Sequence, residues 1–216
     1  AKMYDSSFGW RFINPKMTQM YGTDAMGETA ENLVTKYNIS REDQDKFAYE
    51  SHMKALKAQA EGKFDSQIVP INIEQTFVNE NGKKETKSYV VAKDEGPRFG
   101  TTVEALANLK PVFAADGSVT AGNSSQMSDG AAFVLVMSEE MVKELNLEPI
   151  ARLVNFASAG VEPRIMGIGP VKAIPKALKQ AGMNLKDIEL IELNEAFASQ
   201  SLAVIRELGL NPDIIN

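Results

Sequence analysis

Ile188-Glu189-Leu190-Ile191-Glu192-Leu193 runs directly into Asn194-Glu195-Ala196-Phe197-Ala198, and this junction decides the fold. The first six residues read as a strand, and 196–208 reads as a helix. The same alternation recurs on either side. Pro170 occupies the first turn of a helix whose Val171, Ile174, Ala177, Leu178 and Ala181 make an apolar stripe closed by Gly182. Residues 151–158 are expected to form a strand, and Ser138 to cap a helix at about 139–145. The small and apolar run 129–137 has the texture of a strand buried on both faces, and Ile214-Ile215 is expected to begin another. Strands alternating with helices make the second half α/β.

The first half reads differently. Ser40-Arg41-Glu42-Asp43 has the form of a capping box, opening a helix over 41–60 with Phe47, Ala48, Ser51, Ala55 and Ala58 on one face and Gly62 as its stop. A shorter helix is expected at about 27–37, ending near Asn38. Strands near 68–78 and 85–91 flank Asn81-Gly82, a pair that accepts the positive φ of a type I′ turn. Residues 94–127 are loop-rich, with a short helix near 102–109, and 1–26 is expected to be ordered but irregular. No internal repeat or low-complexity tract stands out.

Composition removes several classes of function. The 216 residues, 44% hydrophobic and 24% charged, suffice for a real core. A net charge of -6 and a pI near 5.0 oppose general attraction to nucleic acid or an anionic membrane, so neither is an expected partner. Without cysteine there is no disulfide framework and no thiolate metal site. With one histidine, His52, and no calcium-loop spacing of acidic residues, no metal is expected. No apolar run approaches the roughly 18–20 residues that span a bilayer. The opening Ala1-Lys2-Met3-Tyr4-Asp5 lacks the apolar stretch of a signal peptide, so the expected location is cytoplasmic.

Asn194 and Glu195 stand where a strand meets a helix, the place where α/β sheets present polar side chains beside helix N-terminal amides. An asparagine there can hold a water or a carbonyl oxygen without titrating. From spacing alone, capping by Asn194 and dipole compensation by Glu195 is the commoner role. Phosphate-loop and dinucleotide fingerprints are absent. Ser124, Ser125 and Ser128 have no nearby histidine to suggest a hydrolase elbow. His52, in the middle of the 41–60 helix, reads as a solvated surface residue.

The string Ile191-Glu192-Leu193-Asn194-Glu195-Ala196-Phe197-Ala198 resembles the NEAF motif of thiolases. Ala121-Gly122-Asn123-Ser124-Ser125 followed by Ser128-Asp129-Gly130-Ala131-Ala132 resembles the family's AGNAS…DGAA segment. Met166-Gly167-Ile168-Gly169-Pro170 is similar to its MGxGP turn, and Gly27-Glu28-Thr29-Ala30-Glu31-Asn32 to its MGxTAEN helix start. The four motifs keep the family's order and cover essentially the whole chain. Gly9-Trp10-Arg11-Phe12-Ile13-Asn14-Pro15 looks most like the degradative 3-oxoacyl-CoA and β-ketoadipyl-CoA branch.

The resemblance implies roles for single residues. Asn194 matches the asparagine that holds the water of the second oxyanion site. Glu195 and Phe197 match its motif neighbours, with Phe197 lining the pocket beside the acyl group, and Ala196 is also expected to contact the substrate. Ser125 matches the serine on the pantetheine arm, Arg98 an arginine beside the CoA nucleotide, and Met26 and Met166 methionines of the acyl pocket. For both methionines, ordinary core filling is the alternative. Ala25 stands where acetoacetyl-specific members often have a histidine, which argues against short-chain biosynthetic specificity. Ala105 stands where some members place a serine near the adenine.

One departure bears on activity. Thiolases use a nucleophilic cysteine, a histidine of a GHP motif and a second cysteine in a CxGGG segment, because carbon–carbon cleavage needs a thiolate, its base, and an acid for the enolate. This sequence has no cysteine and no Gly-His-Pro. The implied fold is α/β and thiolase-like, part of a five-layered αβαβα architecture with an inserted α+β loop domain, and truncated at both ends. Residues 1–127 would be the CoA-binding loop domain, 128–148 the end of the N-terminal half and 149–216 the first part of the C-terminal half. The implied parent activity is CoA-dependent cleavage of a 3-oxoacyl-CoA to acetyl-CoA and a shortened acyl-CoA, or its reverse, as in fatty-acid β-oxidation. Coenzyme A is then a cosubstrate with no bound cofactor. The parent would be a homodimer or homotetramer, and this chain alone inactive. A non-catalytic acyl-CoA or lipid-binding module, and a segment that folds only against partner chains, remain the competing readings.

Overall fold

Seven α-helices and one hairpin are placed in the computed structural model, which describes Met3 and residues 9–216. The expectation for the opening falls partly outside the described residues. Within them, Pro15–Tyr21 forms α1, a helix the sequence pattern did not suggest. Pro15 stands at its first position, and the Asn14 side chain accepts the Lys16 N–H at 2.9 Å.

Helix α2 (Met26–Tyr37) ends at Asn38, whose φ of 49° is the left-handed cap that asparagine tolerates. Helix α3 (Arg41–Ala60) begins where expected, with Ser40 Oγ accepting the Asp43 N–H at 3.0 Å. Only that half of the capping box forms, because the Asp43 carboxylate is taken by Arg206 at 2.7 Å. Strands β1 (Ile71–Val78) and β2 (Lys84–Val91) pair antiparallel, Ile71 opposite Val91 and Val78 opposite Lys84. The turn differs from the type I′ expectation. Asn79 N–H reaches Lys83 O at 2.9 Å across a three-residue loop, and of Asn81 and Gly82 only the glycine has positive φ. This is the longer hairpin connection with a left-handed glycine at its end.

The later helices are α4 (Val103–Ala107), α5 (Glu139–Glu144), α6 (Gly169–Ala181) and α7 (Ala198–Leu208). Gly182 and Gly209 close α6 and α7 in the left-handed region. The expected strands of this half are where the structure departs from the pattern. Among the described residues no strand pairs with 129–137 or 151–158, and Phe133 (96%) and Val134 (87%) are almost fully exposed rather than buried on two faces. An apolar run becomes a strand only when neighbours take its N–H and C=O groups. From 188–193 and 214–215 a single parallel bridge forms, Ile191 to Ile215.

The core lies where α2, the 3₁₀ turn Pro163–Ile168 and α7 meet. Leu33, Ile39, Ile168, Leu193, Ala203, Val204, Leu210 and Ile215 fill it. Gly167 permits this approach, because a Cβ there would lie 2.9 Å from Leu33 and 2.8 Å from Gln200. Leu33→Ala is expected to cost about 2–5 kcal/mol of stability, read as a lowered urea midpoint with an unchanged m-value.

Candidate functional site

Asp45 on α3 is 1% exposed, and its charge organises the loop that carries the 121–125 motif. Arg41 Nε donates to its Oδ2 at 2.7 Å, and Asn123 Nδ2 donates to its Oδ1 at 3.0 Å. Asn123, also buried, accepts the Thr120 N–H at 2.8 Å through Oδ1, which closes the turn. Its backbone carbonyl accepts the N–H of Ala198 at 2.9 Å, and the Ser125 N–H reaches Ala196 O at 3.0 Å. The 123–125 segment is thereby zipped to 196–198, with Ser124 and Phe197 as the bridge pair.

The 26–32 motif braces the same region. Glu31 accepts the N–H groups of Ser118 and Val119 at 2.9 and 2.8 Å. Asn32 donates to Asp24 and to the Arg164 carbonyl. A Cβ at Gly27 would fall 2.2 Å from the Phe113 ring, and that ring meets Phe197 edge-on, 6.0 Å between centroids at 87°.

Beside the zipped segments lies a cavity of about 540 Å³. Ser51 and His52 of α3, Ser124 and Ser125, and Asn194 and Glu195 are among its walls. The structure therefore brings together Ser125 and Asn194, which are 69 positions apart in sequence. Ala196 takes part through its backbone carbonyl. Arg98 is not in the cavity wall; it follows the lining residues Gly96 and Pro97, and its backbone N–H approaches His52 Nδ1 at 3.3 Å. Phe197 is turned to Phe113 and is not in this wall, and Met26 (59% exposed) and Met166 (51% exposed) also stand outside it. His52 is partly buried, not the solvated surface residue its helical position suggested, because 96–98 and 122–126 fold over that face of α3.

From sequence, Glu195 had only the role of compensating the helix dipole beside Asn194. Its Oε2 accepts the Ser51 Oγ–H at 2.6 Å, tying the 194–197 turn to α3. Burial raises its carboxyl above the ordinary value; the Ser51 bond and the Lys54 ammonium pull it down, and Glu192 pushes it further up. His52 is held below the usual imidazole value, first by burial and then by the Arg98 charge. The sequence pattern placed Arg41 and Ser51 only in a helix and did not single out Asp45, since ordinary helix surfaces carry the same residue types. Among the described residues no group of three His, Cys, Asp or Glu is placed to hold a metal, and no helix is long and apolar enough to cross a membrane.

A carboxyl raised by burial contributes most stability below its unfolded value, and that contribution is lost as pH rises through the folded value. Glu195→Gln keeps an acceptor for Ser51 and is expected to remove this decline. Thermal melts from pH 4 to 8 should show wild type falling relative to the variant. Ser51→Ala is expected to cost about 1 kcal/mol by the same measurement, from the lost bond to Glu195.

Comparison with known proteins shows the family and the fold. Residues 4–140 match the family model for the thiolase N-terminal domain, and 147–216 that for the thiolase C-terminal domain. The 3-ketoacyl-CoA thiolase of Bacillus subtilis is 54% identical over 192 residues, covering 89% of this chain and 49% of the relative. The crystal structure of the Bacillus anthracis acetyl-CoA acetyltransferase superposes with a TM-score of 0.84 at 46% identity, covering 99% of this chain and 53% of that one. The dimeric peroxisomal thiolase of Saccharomyces cerevisiae superposes with a TM-score of 0.84 at 38% identity, covering 95% and 50%. The chain thus spans about half the length of the relatives it matches. With both domain models matched in order and an α/β thiolase-like fold shared with solved structures, this chain belongs to the thiolase family.

Proposed function

We propose that this chain forms the coenzyme A-facing part of an acyl-CoA C-acyltransferase, one that cleaves a 3-oxoacyl-CoA with CoA or runs the reverse condensation. The observation that carries this reading is the meeting of Ser125 and Asn194 at one cavity, held by the zipper between 123–125 and 196–198. In this reading Arg98 contacts the nucleotide and Ser125 the pantetheine arm, while Met26, Met166, Ala196 and Phe197, which do not line that cavity, shape an acyl end beyond it. Asn194 holds the water that faces developing negative charge on the thioester oxygen. Such a neutral, preorganised donor acts on the transition state more than on the bound substrate.

The reaction also needs a thiolate, its base and a proton donor for the enolate. No cysteine occurs among these 216 residues, so the chemistry would use groups outside them, and the chain alone is inactive in this reading. Residues 1–127 act as the CoA-binding loop domain, 128–148 as the end of the N-terminal half and 149–216 as the start of the C-terminal half. CoA is a cosubstrate, no cofactor or metal is bound, the working form is a cytoplasmic homodimer or homotetramer, and neither nucleic acid nor membrane is a partner. The missing cysteine also favours a second reading, a non-catalytic acyl-CoA or lipid-binding module.

Calorimetry of CoA binding to this chain, with Arg98→Ala and Ser125→Ala beside it, tests the assignment. Binding at millimolar strength or better, weakened in each variant by about three- to tenfold, is expected from the loss of one polar contact. A folded chain that ignores CoA would remove the proposed ligand. In an active enzyme containing this chain, Asn194→Ala is expected to lower kcat by about 100-fold or more with little change in KM. No such loss would favour the non-catalytic reading.

A further inference from the structure

His52 is the only histidine in the sequence, and its position is tied to one polar contact. Its Nδ1 accepts the backbone N–H of Arg98 at 3.3 Å, a bond between residues 46 positions apart. It joins α3 to a segment, 92–102, with no helix or strand of its own. Other ties hold that segment at different points. Gln59 Nε2 donates to the Asp94 carbonyl at 3.1 Å, and the Arg98 carbonyl accepts the Thr101 hydroxyl at 3.0 Å. Gly96 lies against the Gln126 side chain. Among the described residues only the His52 bond fixes the Arg98 N–H, and so the orientation of the peptide from which that side chain departs.

We propose that His52 is a positioning residue for Arg98: its neutral ring holds the Arg98 peptide in the geometry that binds coenzyme A, and protonation of the ring releases it. This rests on the assignment of Arg98 to the CoA nucleotide. A neutral imidazole has one acceptor nitrogen, whereas in the imidazolium both nitrogens donate. After protonation an N–H would face an N–H, and a second positive charge would stand beside the Arg98 guanidinium. The bond must then break.

The charged groups facing the ring come from three elements. Arg98 belongs to the overlying segment, and Glu192 and Glu195 line the same cavity, with Glu195 bonded to Ser51, the residue before His52. On its own helix, Lys54 is directed to the carbonyls of Ile215 and Asn216. Burial first, and then the Arg98 charge, make the ring take its proton below its ordinary value of about 6.5. Arg98 is therefore held at neutral pH and released on acidification. The same linkage makes the fold lose stability as pH falls from about 6.5 through the folded value.

A single histidine gives a single Hε1 resonance, which makes the test direct. In wild type the Arg98 amide shift, followed by ¹H–¹⁵N NMR, is expected to titrate with the His52 ring at one midpoint below 6.5. An Arg98 amide that ignores the ring's titration overturns the proposal without any variant, and without any CoA binding. Calorimetry with CoA at pH 7.5 and 5.5 adds the functional arm. His52→Asn supplies a non-titrating acceptor and is expected to bind as wild type does at pH 7.5. At pH 5.5 wild type should fall about three- to tenfold below the Asn variant, the equivalent of one hydrogen bond. The CoA phosphate titrates near pH 6 as well, but equally for both proteins, so the difference between them isolates the ring. His52→Leu should bind weakly at both pH values. Binding by His52→Leu equal to wild type at pH 7.5, or an undiminished pH step in His52→Asn, overturns the proposal. CoA binding absent at every pH, with the Arg98 amide still titrating alongside the ring, would retain the positioning contact and reject the CoA assignment.

Discussion

A buried carboxylate is the constraint on which the site depends. Asp45 is taken out of water on the inner face of α3, and such a charge is tolerated only when its oxygens are satisfied. Arg41 supplies charge from one helical turn away, and Asn123 supplies a neutral donor from a distant loop. Arg41 also donates to the carbonyls of Leu106 and Leu109, so the end of α4 is drawn into the same arrangement. Asn123 saturates its own amide while doing this, and its backbone carbonyl receives the first N–H of α7. One ionic centre thus sets the relative placement of α3, α4, the 120–125 turn and α7. Removing one partner of a buried pair generally costs about 3–5 kcal/mol, because the other charge is left uncompensated.

Around that centre, close approach explains residue choices that look catalytic in a motif but act mainly in packing. Gly27 leaves room for the Phe113 ring, and Phe113 in turn holds Phe197 edge-on. Gly167 lets the 163–168 turn seat against Leu33 and Gln200. Glu31 and Asn32 spend their polar atoms on backbone groups and on Asp24. Glu31 and Asn32 are half-buried and satisfied there, and Phe113 remains partly exposed. Asn194 and Ser125, by contrast, are exposed at the cavity, which is where ligand contacts must be made. Glu195 stands between the two groups, bonded to Ser51 at the cavity wall and anchoring the turn that presents Asn194.

The sheet half of the chain shows how far a strand pattern is from a strand. Residues 131–136 have the apolar character of a buried strand, yet Phe133, Val134, Leu135 and Val136 are each more than 80% exposed. A helix satisfies its backbone within itself, so α5, α6 and α7 form beside these segments. A strand needs another strand. Within the described residues the only such pairing in this half joins Ile191 to Ile215. The hairpin of β1 and β2 forms because its partner is five residues away.

Whatever is encoded locally or by motif could be read from the order of the amino acids. Helices α2, α3, α6 and α7 were legible from caps, periodicity and stopping glycines, because each carries its own hydrogen bonds and end signals. Four ordered motifs carried the family, and with it the candidate roles of Asn194, Ser125 and Arg98. Tertiary structure alone decided which of these residues share a cavity. It also decided that Asp45 is buried, that Glu195 is tied to Ser51, and that His52 meets the Arg98 peptide rather than solvent. Each of those facts joins residues 46 to 144 positions apart. No local pattern specifies such a pairing, since a helix surface reads the same whether water or another segment lies against it.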